Sequence, residues 1–335
     1  MIEKRSSYLI ITFSLVAVFM LAIAAGCTSN GSTNTASTQA PVATPTAAAT
    51  AIAASPANNP TVQETTAVPL NTSSPASSGQ KQTLRISGST TVLPIVQAAA
   101  DQFMAAHPDA DIQVSGGGSG VGIQAIGAGT VDIGMTSREV TAAEMAKYPD
   151  FVITPVAQDG IAIIVNPTNT IPSITFDQIR QIYLGNITKW SEITGADVPG
   201  TNDQIVVVGR DSASGTRVYF EQTILPVNAT PIASMQELNS NGAVLQNVAQ
   251  TPDAVGYISI GFVSPDIKAL PIMETNGTTV TPSVDNVKTR TYPISRNLYV
   301  ITNGQPTGLA GDFIKYILSP DGQKIVADQG YVTLT

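Results

Sequence analysis

From Leu84 onward, short β-branched runs alternate with stretches in which apolar residues recur at helical spacing. Leu84-Arg85-Ile86 predicts a strand, and Val92, Val96, Ala99 and Phe103 share one face of a helix over 91–106. Pro94 falls in the first turn of that helix, and His107-Pro108-Asp109 ends it. Strands follow at 111–114 and 131–134, with a helix over 121–128 between them and one capped by Thr141 after them. Phe151 to Val165 reads as two apolar strands broken at Gln158-Asp159-Gly160. A helix capped by Thr175, a strand over 205–208 buried on both faces, and helices over 216–225 and 240–250 come next. Strands at 256–260 and 297–302 and helices over 309–318 and 321–328 complete the pattern. Strands alternating with helices predict an α/β fold with mostly parallel sheets, in which ligands sit beyond the carboxyl ends of strands.

The chain before Lys81 is of another kind. Glu3, Lys4 and Arg5 precede an uncharged apolar run from Tyr8 to Ala25, and Ala24-Ala25-Gly26-Cys27 closes it with small residues and a cysteine. This reads as a signal peptide over 1–26 with a lipobox and a lipid-bearing Cys27; an uncleaved membrane anchor is the alternative. Either places the remainder on the outer face of the cytoplasmic membrane. Residues 27–81 are rich in Ser, Thr, Ala and Pro without apolar periodicity, as a disordered tether would be.

Cys27 is the only cysteine, so no disulfide holds the folded part. The net charge is −8, with no basic stripe to neutralise nucleic-acid phosphates, so nucleic acid is excluded as a partner. Any bound anion must therefore be held by local donors.

Three turns offer such donors. Ser87-Gly88-Ser89-Thr90-Thr91, Gly116-Gly117-Gly118-Ser119-Gly120 and Arg210-Asp211-Ser212-Ala213-Ser214-Gly215-Thr216 each follow a strand and open a helix. Helix starts present free N–H groups and partial positive charge, hydroxyls add donors, and glycine admits close backbone approach. Ser89 and Thr90 stand where an N-cap belongs, and Ser214 would cap the third helix. Arg210 brings a planar fork suited to two anion oxygens. Ser137 and Arg138 follow the strand at Val131; they suit anion contact, or else a solvated salt-bridged turn. Together these predict a cage for a tetrahedral oxyanion.

Enzyme chemistry finds little support. His107 is the sole histidine, at a Pro-bounded helix end, so a Ser-His-Asp triad would rest on it alone. There is no G-x-S-x-G elbow and no Walker A motif, and zinc lacks its usual ligands. No catalytic residue, cofactor or metal is expected.

The folded part resembles the phosphate-binding proteins of Pst-type ABC importers over nearly all of 83–333. The resemblance runs through the three turns, Asp132 to Glu139, Asp159-Gly160-Ile161-Ala162, Gly185 to Trp190, and above all Arg210-x-x-x-Ser214-Gly215-Thr216. It implies a two-lobed periplasmic-binding-protein-like fold of type II, with two mixed sheets flanked by helices and joined by hinge strands. Lobe one would be 82–158 plus 291–335 and lobe two 159–290, with the hinge near Ala157 and Tyr292. Carried over by position, the phosphate ligands would be Ser89, Thr90, Ser119, Ser137, Arg210, Ser214, Gly215 and Thr216, with Arg138 adding charge. Trp190 and Asp159 would serve packing and the hinge. The implied protein is a monomeric lipoprotein, tethered to the membrane through Cys27, that captures inorganic phosphate for a membrane permease and makes no bond. Some relatives carry an aspartate where Ser137 stands, to accept the phosphate proton; Ser137 accepts more weakly, and Asp132, Glu139 and Asp211 are the candidate substitutes. Other oxyanions (sulfate, tungstate, molybdate), an extracytoplasmic phosphoryl-transfer or hydrolytic enzyme, and a surface adhesin are the competing readings.

Overall fold

The structure is a computed structural model that describes residues 81–193, 198–199 and 201–334. The expected signal peptide, the expected lipidation site Cys27 and the expected tether short of Lys81 lie outside the described residues. Among the described residues no helix is long and apolar enough to cross a membrane.

The chain alternates as its pattern predicts. β1 (Gln82–Gly88), α1 (Leu93–Ala106), β2 (Ala110–Ser115), α2 (Ser119–Gly127), β3 (Ile133–Thr136) and α3 (Ala142–Lys147) lead into the long β4 (Phe151–Val165). β5 (Ile174–Thr175), α4 (Phe176–Tyr183), β6 (Val206–Arg210), α5 (Gly215–Ile224), β7 (Gln236–Leu238), α6 (Asn241–Gln250) and β8 (Ala254–Ser259) follow. β9 (Lys268–Leu270), β10 (Ile272–Met273), β11 (Thr279–Val280), α7 (Val284–Lys288), β12 (Ser295–Asn303), α8 (Gly308–Leu318) and α9 (Pro320–Asp328) complete it. Local chemistry sets several boundaries. Thr141 with Glu144, and Thr175 with Gln178, form reciprocal capping boxes at the starts of α3 and α4. Pro94 lies in the first turn of α1, and Ile95, Val96, Ala99, Ala100 and Phe103 are its buried face.

Nine strands form a mixed sheet in the order β2-β1-β3-β12-β4-β8-β6-β7, with β9 also on β4, and β11-β10-β5 form a small separate sheet. β1 runs parallel to β2 and β3, and β6 runs parallel to β7 and β8. The centre is antiparallel. β4 pairs with β12 as far as Gly160 and with β8 from Ile161 onward. One strand thus changes partner between Gly160 and Ile161 and joins the two halves. A register shift at Leu298/Tyr299 skips Val156, beside Pro155, which has no N–H to give to a ladder.

This corrects the expected break at Gln158-Asp159-Gly160, because β4 runs straight through it. Two features allow a polar triplet in a buried strand. Asp159 finds Arg296 directly across the ladder, and a side chain at Gly160 would meet Val287 at 2.7 Å. Separate apolar cores flank the crossing. One gathers residues such as Ile163, Phe220, Val244 and Tyr257; another gathers Ile86, Val96, Val300 and Phe313. The tail returns to the crossing, where Gln158 and Val332 exchange backbone hydrogen bonds of 2.8 and 3.0 Å.

Candidate functional site

β1, β2 and β6 each end in one of the three Gly/Ser turns, and the sheet order carries these ends to one place. Thr90 Oγ1 accepts from Arg210 Nη2 at 3.2 Å, across 120 residues of sequence. Ser119 Oγ accepts from the Ser137 amide at 3.0 Å and lies 3.3 Å from Ser137 Oγ. Gly215 closes over both, since a Cβ there would stand 2.2 Å from Ser119 Oγ and 2.9 Å from Ser137 Oγ. Thr216 Oγ1 is 3.1 Å from Thr91 Oγ1. Ser89, Thr90, Ser119, Ser137, Arg210, Ser214, Gly215 and Thr216 are all buried. The contacts above join Thr90, Ser119, Ser137, Arg210, Gly215 and Thr216 across the turns, with Ser89 and Ser214 beside them in the chain.

The helix starts contribute as anticipated, with one correction. Ser214 caps α5 by accepting from the Arg217 amide at 3.2 Å. α2 begins at Ser119 after Gly118, whose φ of 97° favours glycine and whose lack of a side chain leaves its cap unfilled. Ser89 and Thr90 do not cap α1; the helix begins later, and Val92 occupies that place. Ser89 Oγ instead accepts from the Thr91 amide at 3.2 Å, which holds the turn ahead of the helix.

Arg210 dominates the electrostatics. Its Nε donates to the Leu238 carbonyl at 3.1 Å, and Nη2 donates to the Asn239 carbonyl at 3.2 Å as well as to Thr90. Nη1 is buried with no partner. Burial pulls its pKa down to about 10, which leaves the guanidinium charged at neutral pH. A buried unpaired cationic donor is costly and demands an acceptor.

Arg138 is not brought into the cluster. Its guanidinium engages Glu144 through two bonds, of 2.8 and 2.7 Å, as in the salt-bridged turn weighed above. That pairing holds the Glu144 carboxyl down at about 2.

Three other residues enter that the sequence reading passed over as ligands. Asn241, the first residue of α6, donates through Nδ2 to Thr91 Oγ1 at 3.0 Å and to Thr90 Oγ1 at 3.4 Å. Thr91 accepts there too. Arg296, second in β12, donates from Nη2 to Thr216 Oγ1 at 3.0 Å. Arg296 also pairs with Asp159 at 2.7 Å, and both side chains are buried. Burial pushes the Asp159 carboxyl up, while the Arg296 guanidinium pulls it down. One signal could have found this pair. Asp159 interrupts an apolar strand and Arg296 precedes another, and lone opposite charges in buried strands must meet. Asn241 carries no such mark.

Of the carboxylates weighed as substitutes for an aspartate at Ser137, Asp132 accepts from the Arg85 amide at 2.7 Å and Glu139 accepts from Tyr299 Oη. Asp211 Oδ1 is buried without a partner. A cavity of about 370 Å³ adjoins the cluster through Arg296, with Tyr219, Tyr292 and Arg290 on its walls. Among the described residues no group of His, Cys, Asp and Glu is gathered as a metal site would require.

A family model described as a PBP superfamily domain matches residues 72–321. The chain is similar to the phosphate-binding protein PstS of Bacillus subtilis, at 39% identity over 254 residues, covering 75% of this chain and 81% of that protein. The PstS of Pseudomonas aeruginosa is 28% identical, over 77% of this chain and 84% of its own. Among solved structures, the fold is similar to a phosphate ABC transporter substrate-binding protein with bound phosphate from Clostridium perfringens. That match has a TM-score of 0.69 and 31% identity, over 76% of this chain and all of the other. A phosphate transport receptor from Vibrio cholerae gives a TM-score of 0.61, also at 31% identity, over 75% and 99%. With its PBP-type fold and this degree of identity over most of a relative's length, the chain belongs to the phosphate-binding protein PstS family.

Proposed function

We propose that the protein captures inorganic phosphate and delivers it to the membrane permease of an ABC importer. One observation carries the reading. Arg210 Nη1 is buried, cationic and without a partner, among the hydroxyls of three converging turns. A tetrahedral oxyanion supplies the missing acceptor. Ser89, Thr90, Ser119, Ser137, Ser214, Gly215 and Thr216 then surround it with hydroxyl and amide donors, which a dehydrated anion needs on nearly every oxygen.

In this reading residues 82–158 with 291–335 form one lobe and 159–290 the other. β4 and the segment near Tyr292 act as the hinge. The change of β4 partners at Gly160 and the two separate cores support that division. Capture is closure of the lobes on the anion, and no bond is made or broken. The mature protein works outside the cytoplasmic membrane, held there by lipid on Cys27.

A second reading, sulfate in place of phosphate, has one observation in its favour: a serine and not a carboxylate stands at Ser137. Calorimetric titration of the anion-stripped protein with each anion tests both. Micromolar or tighter phosphate binding supports capture of phosphate, and equal or tighter sulfate binding reassigns the ligand.

A further inference from the structure

Arg296 makes a lopsided ion pair. Its Nε and Nη2 both reach the same oxygen of Asp159, Oδ2, at 3.0 and 2.7 Å, and its Nη1 is buried with no partner. Arginine–carboxylate pairs are frequently bidentate, with one N–H bond to each oxygen. Here Asp159 Oδ1 is taken by Ser259 Oγ at 2.7 Å, so the carboxylate is satisfied while one of the three guanidinium nitrogens is not. The same Nη2 that pairs with Asp159 also meets the anion cluster. Nη2 touches Thr216 Oγ1 at 3.0 Å and Thr91 Oγ1 at 3.4 Å. A hydroxyl that accepts from a guanidinium has its own proton free to donate onward.

The two buried arginines also share one hydrogen-bonded path. It runs from Arg210 through Thr90, Asn241 and Thr91 to Arg296. Each ends in a partnerless Nη1, and the two guanidinium charges repel.

We propose that Arg296 is a second cationic phosphate-binding residue, which donates to the anion from Nη1 and is aimed by Asp159. The inference rests on the phosphate reading. Asp159 is the positioning residue: it fixes the rotamer of Arg296 and offsets its charge. Closure without an anion then leaves a repulsive pair, and closure around one satisfies both arginines.

The test is calorimetric titration of phosphate into the full-length protein and three variants, with thermal unfolding of each anion-free protein alongside. Arg296→Gln is expected to lose on the order of 100-fold in affinity, as truncation of a buried charge partner does. Arg296→Lys keeps the charge but not the fork, and is expected to lose roughly tenfold. Asp159→Asn removes the other half of the ion pair and lowers the unfolding temperature. Because Asp159 aims the guanidinium, this variant also weakens binding, by a few-fold, less than either arginine variant since the fork and its charge remain. A purely structural ion pair predicts the opposite pattern, with equal affinity losses in Arg296→Gln and Asp159→Asn. That pattern, or an Arg296→Lys protein binding within twofold of wild type, overturns the inference. If Arg296→Gln does not fold, Arg296→Lys against Asp159→Asn decides. Wild-type protein that takes up no phosphate overturns the phosphate reading and this inference together. Wild type that binds, with an unaffected Arg296→Lys, overturns this inference alone.

Discussion

The amide of Gly120, in the first turn of α2, donates to the carbonyl of Ala213 at 2.9 Å, 93 residues further along the chain. This bond ties the turn after β2 to the turn after β6. Gly118 makes the approach possible, since a Cβ there would stand 2.6 Å from the Ala213 oxygen. In the two-lobe reading proposed above, the arrangement is that of a cleft shut over its ligand site. Gly118→Ala meets both the clash and a φ of 97°. It is expected to weaken phosphate binding about 10- to 100-fold, the equivalent of about 1–3 kcal/mol of overpacking. Phosphate affinity of the variant, with circular dichroism as the check on folding, measures this; wild-type affinity would contradict a closed cleft held by this contact.

Gly215→Ala tests the same closeness from the other side, where the added methyl meets Ser119 and Ser137. Loss of phosphate binding with retained secondary structure is the expected result. A variant that binds normally would mean that Gly215 and Ser119 separate when the anion is present.

Ser137→Asp places an acceptor beside Ser119. The wild-type protein is expected to discriminate phosphate from sulfate by less than the roughly 10⁴-fold available to a site that accepts a ligand proton. Ser137→Asp is expected to depress sulfate affinity while phosphate remains bound at neutral pH. Competition titration of each protein with the two anions reads the ratio. A wild-type ratio already at that level would point to another acceptor, and Asp211, with its unpartnered buried oxygen, is the first to examine.

Arg138 and Glu144 separate stability from binding. Arg138 holds the Glu144 carboxyl at about 2, below its ordinary value near 4.5. A depressed carboxylate contributes stability that is complete above its unfolded pKa. That contribution fades as pH falls from about 4.5 toward 2. Glu144→Gln is therefore expected to be less stable than wild type at pH 7 and to approach it at pH 2–3, by urea unfolding at each pH. Arg138→Gln is expected to share the stability loss and to keep phosphate affinity within about twofold. A large affinity loss would return Arg138 to the site.

The turns were legible in the sequence because each concentrates its chemistry within a few residues. Ser214-Gly215-Thr216 and Gly117-Gly118-Ser119 announce a helix start and a close approach by composition alone. Arg138 was misleading for the same reason, as adjacency to Ser137 suggested a shared target when Glu144 was near enough to claim it. Arg296 and Asn241 were not legible as cluster members. Each is a single residue brought in by sheet order, Arg296 from 80 residues beyond Thr216. The same cause hid the continuity of β4. Asp159 looks like a strand breaker until Arg296 is known to face it.

The central claim is that Arg210 awaits an anion. Calorimetric titration of phosphate into anion-stripped wild-type and Arg210→Ala proteins tests it most directly. Wild type is expected to bind at micromolar or tighter concentration. Arg210→Ala should lose about 2–5 kcal/mol, on the scale of other truncated buried charge pairs. Equal binding by the two proteins, each shown to be folded, would contradict the account.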